Sequence, residues 1–244
     1  DNDCIQDCDG VWGGDSGNIE ECTLFDIDGN RYYKVGIGDQ TWLKENLKAT
    51  HYRNGDSMSN YSGNDSDIYG YVYRWSTIMD QRGSCPDGTH VPSQAEWEEL
   101  IMYLGGWDVA GAKLKEAGFE HWGSENIDAT NESGFTALPT GYYDDIGGDS
   151  SGAGPGAPGI YWTSDLTAYE LEAGSNSVST VPNWFVNGGY NHFGVRCIVT
   201  PPSYGCMDES ACNYDEQATA EGPCDYAAEN YDCDGNCINF DDCG

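Results

Sequence analysis

Residues 85–106 read Cys85-Pro86-Asp87-Gly88-Thr89-His90-Val91-Pro92-Ser93-Gln94-Ala95-Glu96-Trp97, then on through Leu104 to Gly105-Gly106. Directly after Pro92, Ser93-Gln94-Ala95-Glu96 has the form of a capping box, in which Ser and Glu satisfy each other's free backbone N–H groups. A helix through Trp97, Leu100, Ile101 and Leu104 is therefore expected, stopped by the paired glycines. Upstream, Leu24–Asp26 and Arg31–Val35 flank Asp28-Gly29-Asn30, and Asp-Gly between apolar runs is a strong hairpin signal. Thr41-Trp42-Leu43 continues the strand pattern. His51–Asp67 is polar and turn-rich and reads as a loop. Tyr69–Met79 reads as a strand leading into a short helix, and Ala110–Lys115 as a further helical turn. From Phe135 on the pattern is β-like, at Thr136-Ala137-Leu138, Ile160–Ser164, Asn183–Val186 and Gly194–Val199. Gly147–Gly159 is a long Gly- and Pro-rich loop, and Pro201-Pro202 marks a boundary.

Cysteine and charge divide the 244 residues into three parts. Cys4, Cys8 and Cys22 lie in an N-terminal segment, residues 1–23, and Cys206, Cys212, Cys224, Cys233, Cys237 and Cys243 in a tail, residues 201–244. These ends hold 18 Asp and Glu and no Lys or Arg. Segments so small bury too little apolar surface to fold alone, and disulfides or metals make up the deficit. Such cysteine use belongs to an oxidising, extracellular compartment. Between the ends, residues 24–200 form one globular domain with two cysteines, Cys85 and Cys197, each the other's natural partner. Eleven cysteines is an odd number, so one is free, metal-bound or paired to another chain. The six in the tail can pair among themselves, which leaves the odd one at Cys4, Cys8 or Cys22. Both termini fall inside cysteine-rich text, as expected of a unit processed or excised from a longer chain.

The net charge of −32 excludes nucleic acid as a partner, because binding there needs Lys and Arg to neutralise phosphates. An anionic membrane surface is disfavoured for the same reason, and no apolar run reaches the roughly 20 residues of a membrane span. Divalent cations are the natural counterions. Asp232-x-Asp234-Gly235-Asn236, closed by Asp241 or Asp242, alternates oxygen donors as calcium sites do, and Asp7-x-Asp9-Gly10 is a weaker copy. The alternative for both is a solvated acidic loop. Asp26-x-Asp28-Gly29-Asn30 is read as the hairpin turn.

No catalytic set is legible. Gly148-Asp149-Ser150-Ser151-Gly152 matches a nucleophile elbow but lacks the strand before and the helix after. Gly14-Asp15-Ser16-Gly17 echoes a serine-protease segment with no triad around it. His51, His90, His121 and His192 show no metal spacing, and His90 is expected to be packed or hydrogen-bonded beside the cysteine bridge. Sequons occur at Asn60, Asn64 and Asn131. With 8 Trp and 17 Tyr against 6 Phe, many aromatics carry a polar handle. Tyr142, Tyr161, Trp162, Trp184 and Tyr190 are candidates for a loop surface that meets a partner or glycan, with core packing the alternative for the tryptophans.

Asp28-Gly29-Asn30 with Tyr32-Tyr33, then Gly38–Asn46 (GDQTWLKEN), resembles the opening of the Fibrobacter succinogenes major paralogous domain. So do Tyr73-Arg74-Trp75, Cys85–Ser93 with Glu96-Trp97, Asn131–Pro139 (NESGFTALP), Tyr161–Ser164 and Gly194-Val195-Arg196-Cys197, in order over residues 24–200. Thr89 stands where that family often has Trp. The resemblance implies an α+β, C-type lectin-like fold with two short helices, a mixed β-sheet and a disulfide between the second-helix region and the last strand. Cys85 and Cys197 fall where that disulfide would be. Formylglycine-generating enzymes have a similar fold but need a reactive cysteine pair at a metal, and here a structural bridge accounts for both cysteines. Lectins of this fold bind sugar through calcium with Glu-Pro-Asn or Gln-Pro-Asp; Val181-Pro182-Asn183-Trp184 lacks the acidic or amide residue before the proline. The tail, and Asp7–Asp15, resemble cysteine-rich repeats of secreted marine bacterial proteins.

The resulting expectation is a secreted, non-enzymatic structural or adhesive protein. It is a homo-oligomer or head-to-tail filament linked through its disulfide-rich acidic ends, with calcium as the candidate cofactor. The alternative is a cell-surface module that binds a glycan or peptide.

Overall fold

The Asp-Gly turn folds as a hairpin. β1 (Thr23–Phe25) and β2 (Arg31–Ile37) run antiparallel with Phe25 opposite Arg31, and Gly29 takes the left-handed conformation, φ 81°. The structure is a computed structural model. It describes residues 23–59, 61–62, 65–144, 150–186 and 191–237, with backbone only at Tyr61, Ser62 and Trp184. The chain divides into two compact units between Val199 and Thr200.

In the first unit, β3 (Gln40–Leu43) and β4 (Tyr61–Ser62) precede α1 (Ser66–Tyr69), β5 (Val72–Arg74), α2 (Trp75–Ile78) and β6 (Thr89–His90). Next come α3 (Gln94–Tyr103), α4 (Ala110–Leu114), β7 (Tyr142–Asp144), β8 (Ser150–Ser151), β9 (Gly159–Trp162) and β10 (Ala168–Leu171). β11 (Ser179–Thr180), α5 (Asn183–Val186), β12 (Asn191–Phe193) and β13 (Ile198–Val199) complete it. Three antiparallel sheets result, ordered β1-β2-β3-β13-β6, β4-β5-β12-β7-β8 and β11-β10-β9. Isolated parallel bridges, such as Tyr161 to Gly194, join segments between them.

The capping box at Ser93 forms in full. Glu96 N–H donates to Ser93 Oγ (3.2 Å), and Ser93 N–H donates to Glu96 Oε2 (2.7 Å). Trp97, Leu100 and Ile101 of α3 are buried, and Gly105 and Gly106 both end it at positive φ. One apolar cluster gathers Trp97 with Trp42, Trp122, Phe135, Tyr161 and Tyr169; another joins Tyr32, Tyr73, Trp162 and Phe193 to the Cys85–Cys197 pair. Edge-on aromatic contacts tie the first together, with Trp42 5.1 Å and Phe135 5.6 Å from Trp97.

Several expectations need correction. Asn183–Val186, read as β-like, is the helical turn α5, because Pro182 fixes φ and its carbonyl accepts the N–H of both Phe185 and Val186. Thr136-Ala137-Leu138 makes one bridge, Ala137 to Lys115, and no strand. Thr136 sits at φ 55°, held by Asn131 Oδ1, and a left-handed residue interrupts an extended run. Of Gly194–Val199 only Ile198 and Val199 are strand, since Arg196 is turned into the core. The resemblance implied two short helices; among the described residues there are five helical segments, of which only α3 exceeds five residues.

The second unit has little core. Of its described residues only Cys206 and Ala211 are buried apolar side chains. β14 (Tyr204–Gly205) and β15 (Ala220–Glu221) pair in parallel, and the disulfides Cys206–Cys224 and Cys212–Cys233 staple the rest. Covalent links do here what apolar burial does in larger domains.

Candidate functional site

The hairpin turn prepares a surface site. Asp26 Oδ1 accepts the N–H groups of Asp28 (3.0 Å) and Asn30 (2.9 Å), and its Oδ2 accepts Asn30 Nδ2 (2.9 Å) and the Tyr32 hydroxyl (2.7 Å). With the loop closed on Asp26, Asp28 reaches the next segment. Its Oδ2 accepts Thr50 N–H (2.6 Å) and His51 N–H (3.1 Å), and its Oδ1 lies 2.5 Å from His51 Nδ1. Burial pushes the Asp28 carboxyl up, but the hydrogen bonds from Thr50 and His51 outweigh it and hold the group below the usual carboxylate range. The contact fixes the Nδ1 edge of the ring against the carboxylate, and among the described residues nothing hydrogen-bonds Nε2.

His51 lines a pocket of 140 Å³. It is lined by Phe25, Asp26 and Ile27 of the hairpin, by His51 and Arg53, and by Ser84, Cys85, Pro86 and Asp87. Phe25 and Ile27 are 59% and 55% exposed, unusual for large apolar side chains beside each other in space. Arg53 is braced by the main chain: Nε donates to Cys85 O (2.7 Å), and Nη2 to Pro86 O (3.0 Å) and Thr89 O. Asp87 Oδ1 is 3.3 Å from Nε. Among the described residues nothing pairs with Nη1, so one arm of the guanidinium is open. Ser84, which shares the pocket, gives its hydroxyl proton to Ile78 O (2.8 Å). Among the described residues no serine hydroxyl is hydrogen-bonded to the His51 ring.

The disulfide behind this pocket, Cys85–Cys197, spans 112 residues of sequence. Beside Cys197, Arg196 is fully buried. Its Nε and Nη2 donate to Asn46 Oδ1 (3.0 and 2.6 Å), and Nη1 to Leu43 O (3.1 Å) and Phe135 O. The Phe135 ring lies 4.3 Å from its guanidinium carbon. Burial lowers its pKa without a carboxylate in hydrogen bond to it. The segments GDQTWLKEN, NESGFTALP, YWTS and GVRC thus meet around one side chain, and these motif residues build the frame of the domain. Lys115 does a similar task elsewhere. Its Nζ donates to Glu172 O, Ala173 O and Ser175 O at 2.7–2.8 Å, and burial brings its pKa down to about 8.

The residues singled out from sequence fall in different places. Cys85 pairs with Cys197, Cys206 with Cys224 and Cys212 with Cys233. Cys237 is disulfide-bonded as well. Cys4, Cys8, Cys22, Cys243, Asp7, Asp9, Asp241 and Tyr190 lie outside the described residues, as does the Trp184 side chain. Asp232 and Asn236 repeat the hairpin turn seen at Asp26 and Asn30. Asp232 Oδ1 accepts Asp234 N–H (3.0 Å) and Asn236 N–H (2.7 Å), Oδ2 accepts Asn236 Nδ2 (3.1 Å), and Gly235 sits at φ 78°. Asp241 and Asp242, which would close the calcium set, lie outside the described residues, and among the described residues no three His, Cys, Asp or Glu side chains come together to hold a metal. Tyr161 is corrected from loop surface to core: it is fully buried, with its hydroxyl bonded to both N–H and C=O of Leu138. Trp162 is buried too, and Tyr142 is half-buried against Phe185. His90 bonds Glu96 Oε1 (2.8 Å).

Sequence reading missed the Asp28–His51–Arg53 pocket. Its one linear signal is a Gly turn beginning with Asp, and the histidine that completes it lies 23 residues away.

A disulfide-bridged α+β body of short strands, with its motif residues buried, defines the class of the first unit. Residues 35–199, more than half of the chain, match the Fibrobacter succinogenes major domain, and the chain belongs to that family. No curated protein and no solved structure matches it. No helix among the described residues is long and apolar enough to cross a membrane.

Proposed function

We propose that this chain is a structural or adhesive subunit of an extracellular assembly. The observation that carries the reading is the second unit: stapled by disulfides, nearly without a core, free of Lys and Arg, and with Tyr204, Tyr214, Tyr226 and Tyr231 exposed. A segment so built has surface for contact and no interior for chemistry. The disulfides fit an oxidising compartment outside the cell. The first unit serves as a rigid body in the C-type lectin-like manner, its loops free to vary because Arg196 and the Cys85–Cys197 bridge hold the frame. Contacts that repeat head to tail without closing make filaments. Electron microscopy of native material, before and after reductant plus chelator, tests this. Regular filaments that fall apart on treatment support it, and monomers throughout overturn it. Loss on chelator alone would bring in calcium.

A second reading, a surface module that binds a glycan or peptide, is favoured by Tyr143, exposed on β7 next to half-buried Tyr142. Saturable glycan binding by the full chain, lost on Tyr143→Ala, would favour it over assembly.

A further inference from the structure

We propose that the face of β1, β2 and β3 that carries Phe25, Arg31, Tyr33 and Lys44 docks the acidic second unit of another copy of this chain. The proposal rests on the assembly reading above and names the contact that would carry it.

The distribution of unpaired charge comes first. Residues 31–48 hold four of the ten Lys and Arg, namely Arg31, Lys34, Lys44 and Lys48, against two carboxylates, Asp39 and Glu45. The rest of the chain holds six cations against 40 Asp and Glu. Those six are all engaged. Arg53 pairs with Asp87 (3.3 Å), Arg82 with Asp80 (2.8 Å) and Asp56 (3.1 Å), and Lys113 with Glu132 (3.6 Å). Arg74 has a partner as well, while Lys115 and Arg196 are buried against backbone carbonyls. The four cations of residues 31–48 have no ion pair among the described residues. Where acids outnumber bases so heavily, unpaired cations gathered in one stretch mark a surface whose anion comes from elsewhere.

Strand register brings two of them onto one face. Phe25 and Arg31 are directly opposite each other across β1 and β2, and opposed side chains share a face. Tyr33 lies two residues further along β2 on that same face, and the Arg31 guanidinium carbon is 4.9 Å from the centre of its ring. Lys44 continues the β2–β3 register past the Lys34–Leu43 pair, and its N–H donates to Tyr33 O (2.8 Å), which sets it opposite Tyr33. Phe25 and Arg31 are exposed, and Tyr33 and Lys44 half-buried. Tyr32 alternates to the other side, where its hydroxyl holds Asp26 (2.7 Å), and Asp28 is turned to Thr50 and His51. Glu45 follows Lys44, and its Oε2 accepts Tyr33 N–H (2.7 Å), so one carboxylate stands beside two cations.

This chemistry selects a carboxylate. A guanidinium stacked on a ring keeps its N–H edge outward, where two parallel bonds can meet one carboxylate. Arg31 covers the Tyr33 ring, so that ring face is closed to a neutral sugar, and Phe25 adds an apolar contact. The second unit supplies the carboxylates: residues 201–244 hold 11 Asp and Glu and no Lys or Arg. Glu209, Glu216 and Glu229 are exposed there, and their carboxylates have no partner among the described residues. Each copy carries one such unit for each such face, so the contact can repeat from copy to copy without closing. Repulsion between chains of charge −32 is screened beyond about 8 Å at physiological ionic strength, which leaves the local charges to decide the contact.

The test uses the full chain in oxidised form at physiological ionic strength. Sedimentation velocity over a concentration series would compare the wild type with a face variant, Arg31→Glu with Lys44→Glu, and a tail variant, Glu209→Lys with Glu216→Lys and Glu229→Lys. Each would be checked for an unchanged near-ultraviolet circular dichroism spectrum. The expected result is that each variant self-associates about tenfold more weakly, the loss of two or three exposed charge pairs. The tail variant carries less net negative charge, so general repulsion alone would make it associate more tightly, the opposite sign. An equal mixture of the two should regain association, because the tail variant keeps the native face and the face variant keeps the native tail. Wild-type strength in the face variant would overturn the docking face and leave the assembly reading standing. Weakening in the face variant with undiminished association of the tail variant would overturn the second unit as the occupant; saturable binding of polygalacturonate, lost in the face variant, would then give the face to an acidic glycan. Two weakened variants that do not recover on mixing would overturn a contact between copies. A wild type that stays monomeric at every concentration would overturn the assembly reading itself, and this docking with it.

Discussion

Arg196 and Asn46 lie 150 residues apart in sequence, and two guanidinium nitrogens of one, Nε and Nη2, donate to the single side-chain oxygen of the other, at 3.0 and 2.6 Å. Asn46 in turn donates its Nδ2 to Tyr69 O (2.8 Å). A buried cation without a carboxylate is tolerable only when its donors are met, and here carbonyls, an amide and an aromatic face meet them. Arg196→Met would leave Asn46 Oδ1 and the carbonyls of Leu43 and Phe135 without those donors in the interior. Its expected cost is about 3 kcal/mol or more in denaturant unfolding. Combined with Asn46→Leu, the double variant should cost less than the two single losses together, by about 1 kcal/mol or more.

The disulfides should reduce in order of exposure. Cys212 and Cys233 are exposed, Cys206 is buried with Cys224 half-buried, and Cys85 and Cys197 are both buried. Thiolate attack needs access to sulfur. Timed alkylation and mass spectrometry under limiting reductant should show Cys212–Cys233 opening first and Cys85–Cys197 last. Replacing Cys85 and Cys197 together by Ala should cost about 3–5 kcal/mol, because that bridge closes the long loop.

Lys115 should titrate apart from the other lysines. Its buried ammonium has a pKa near 8, against about 10.4 for a solvated lysine. The folded value lies below the unfolded one, so the unfolded chain holds more protons between those two points and stability from this group rises with pH across that window. A ¹⁵Nζ titration midpoint near pH 8 checks the first statement. Lys115→Met should unfold more easily than the wild type because three carbonyls lose their donor, and its stability should lack the rise above pH 8.

Two glycines at positive φ should respond differently to alanine. At Gly29 a Cβ would meet nothing within 4 Å, so Gly29→Ala costs only the left-handed strain, about 1–2 kcal/mol. Gly70, at φ 77° and ψ −177°, lies in a region essentially open to glycine alone, and a Cβ there would also meet Asn46 Cβ at 2.7 Å and Leu47 O at 2.8 Å. Gly70→Ala should cost about 1–3 kcal/mol beyond Gly29→Ala, and should shift Asn46 against Arg196. Thermal melts of the two variants separate these.

The hairpin at Asp28-Gly29 and the α3 capping box were legible in the sequence because each is written in neighbouring residues. A turn needs Gly where φ is positive, and a cap needs Ser and Glu at fixed spacing, whatever surrounds them. The division into a cysteine-poor middle and cysteine-rich ends was legible for a similar reason, since composition alone limits how much apolar surface a short segment can bury. Tyr161, by contrast, has a polar handle and reads equally well as surface or core; only the arrival of Leu138 at its hydroxyl put it inside. Asn183–Val186 looked like a strand until the Pro182 carbonyl captured two N–H groups. Arg196 and the Asp28–His51–Arg53 pocket were beyond reach of the sequence, because their partners are set by chain paths that meet across tens of residues or more. Local spacing writes local hydrogen bonds. Which charge is buried, and which polar edge is left open to a partner, is decided when the sheets pack.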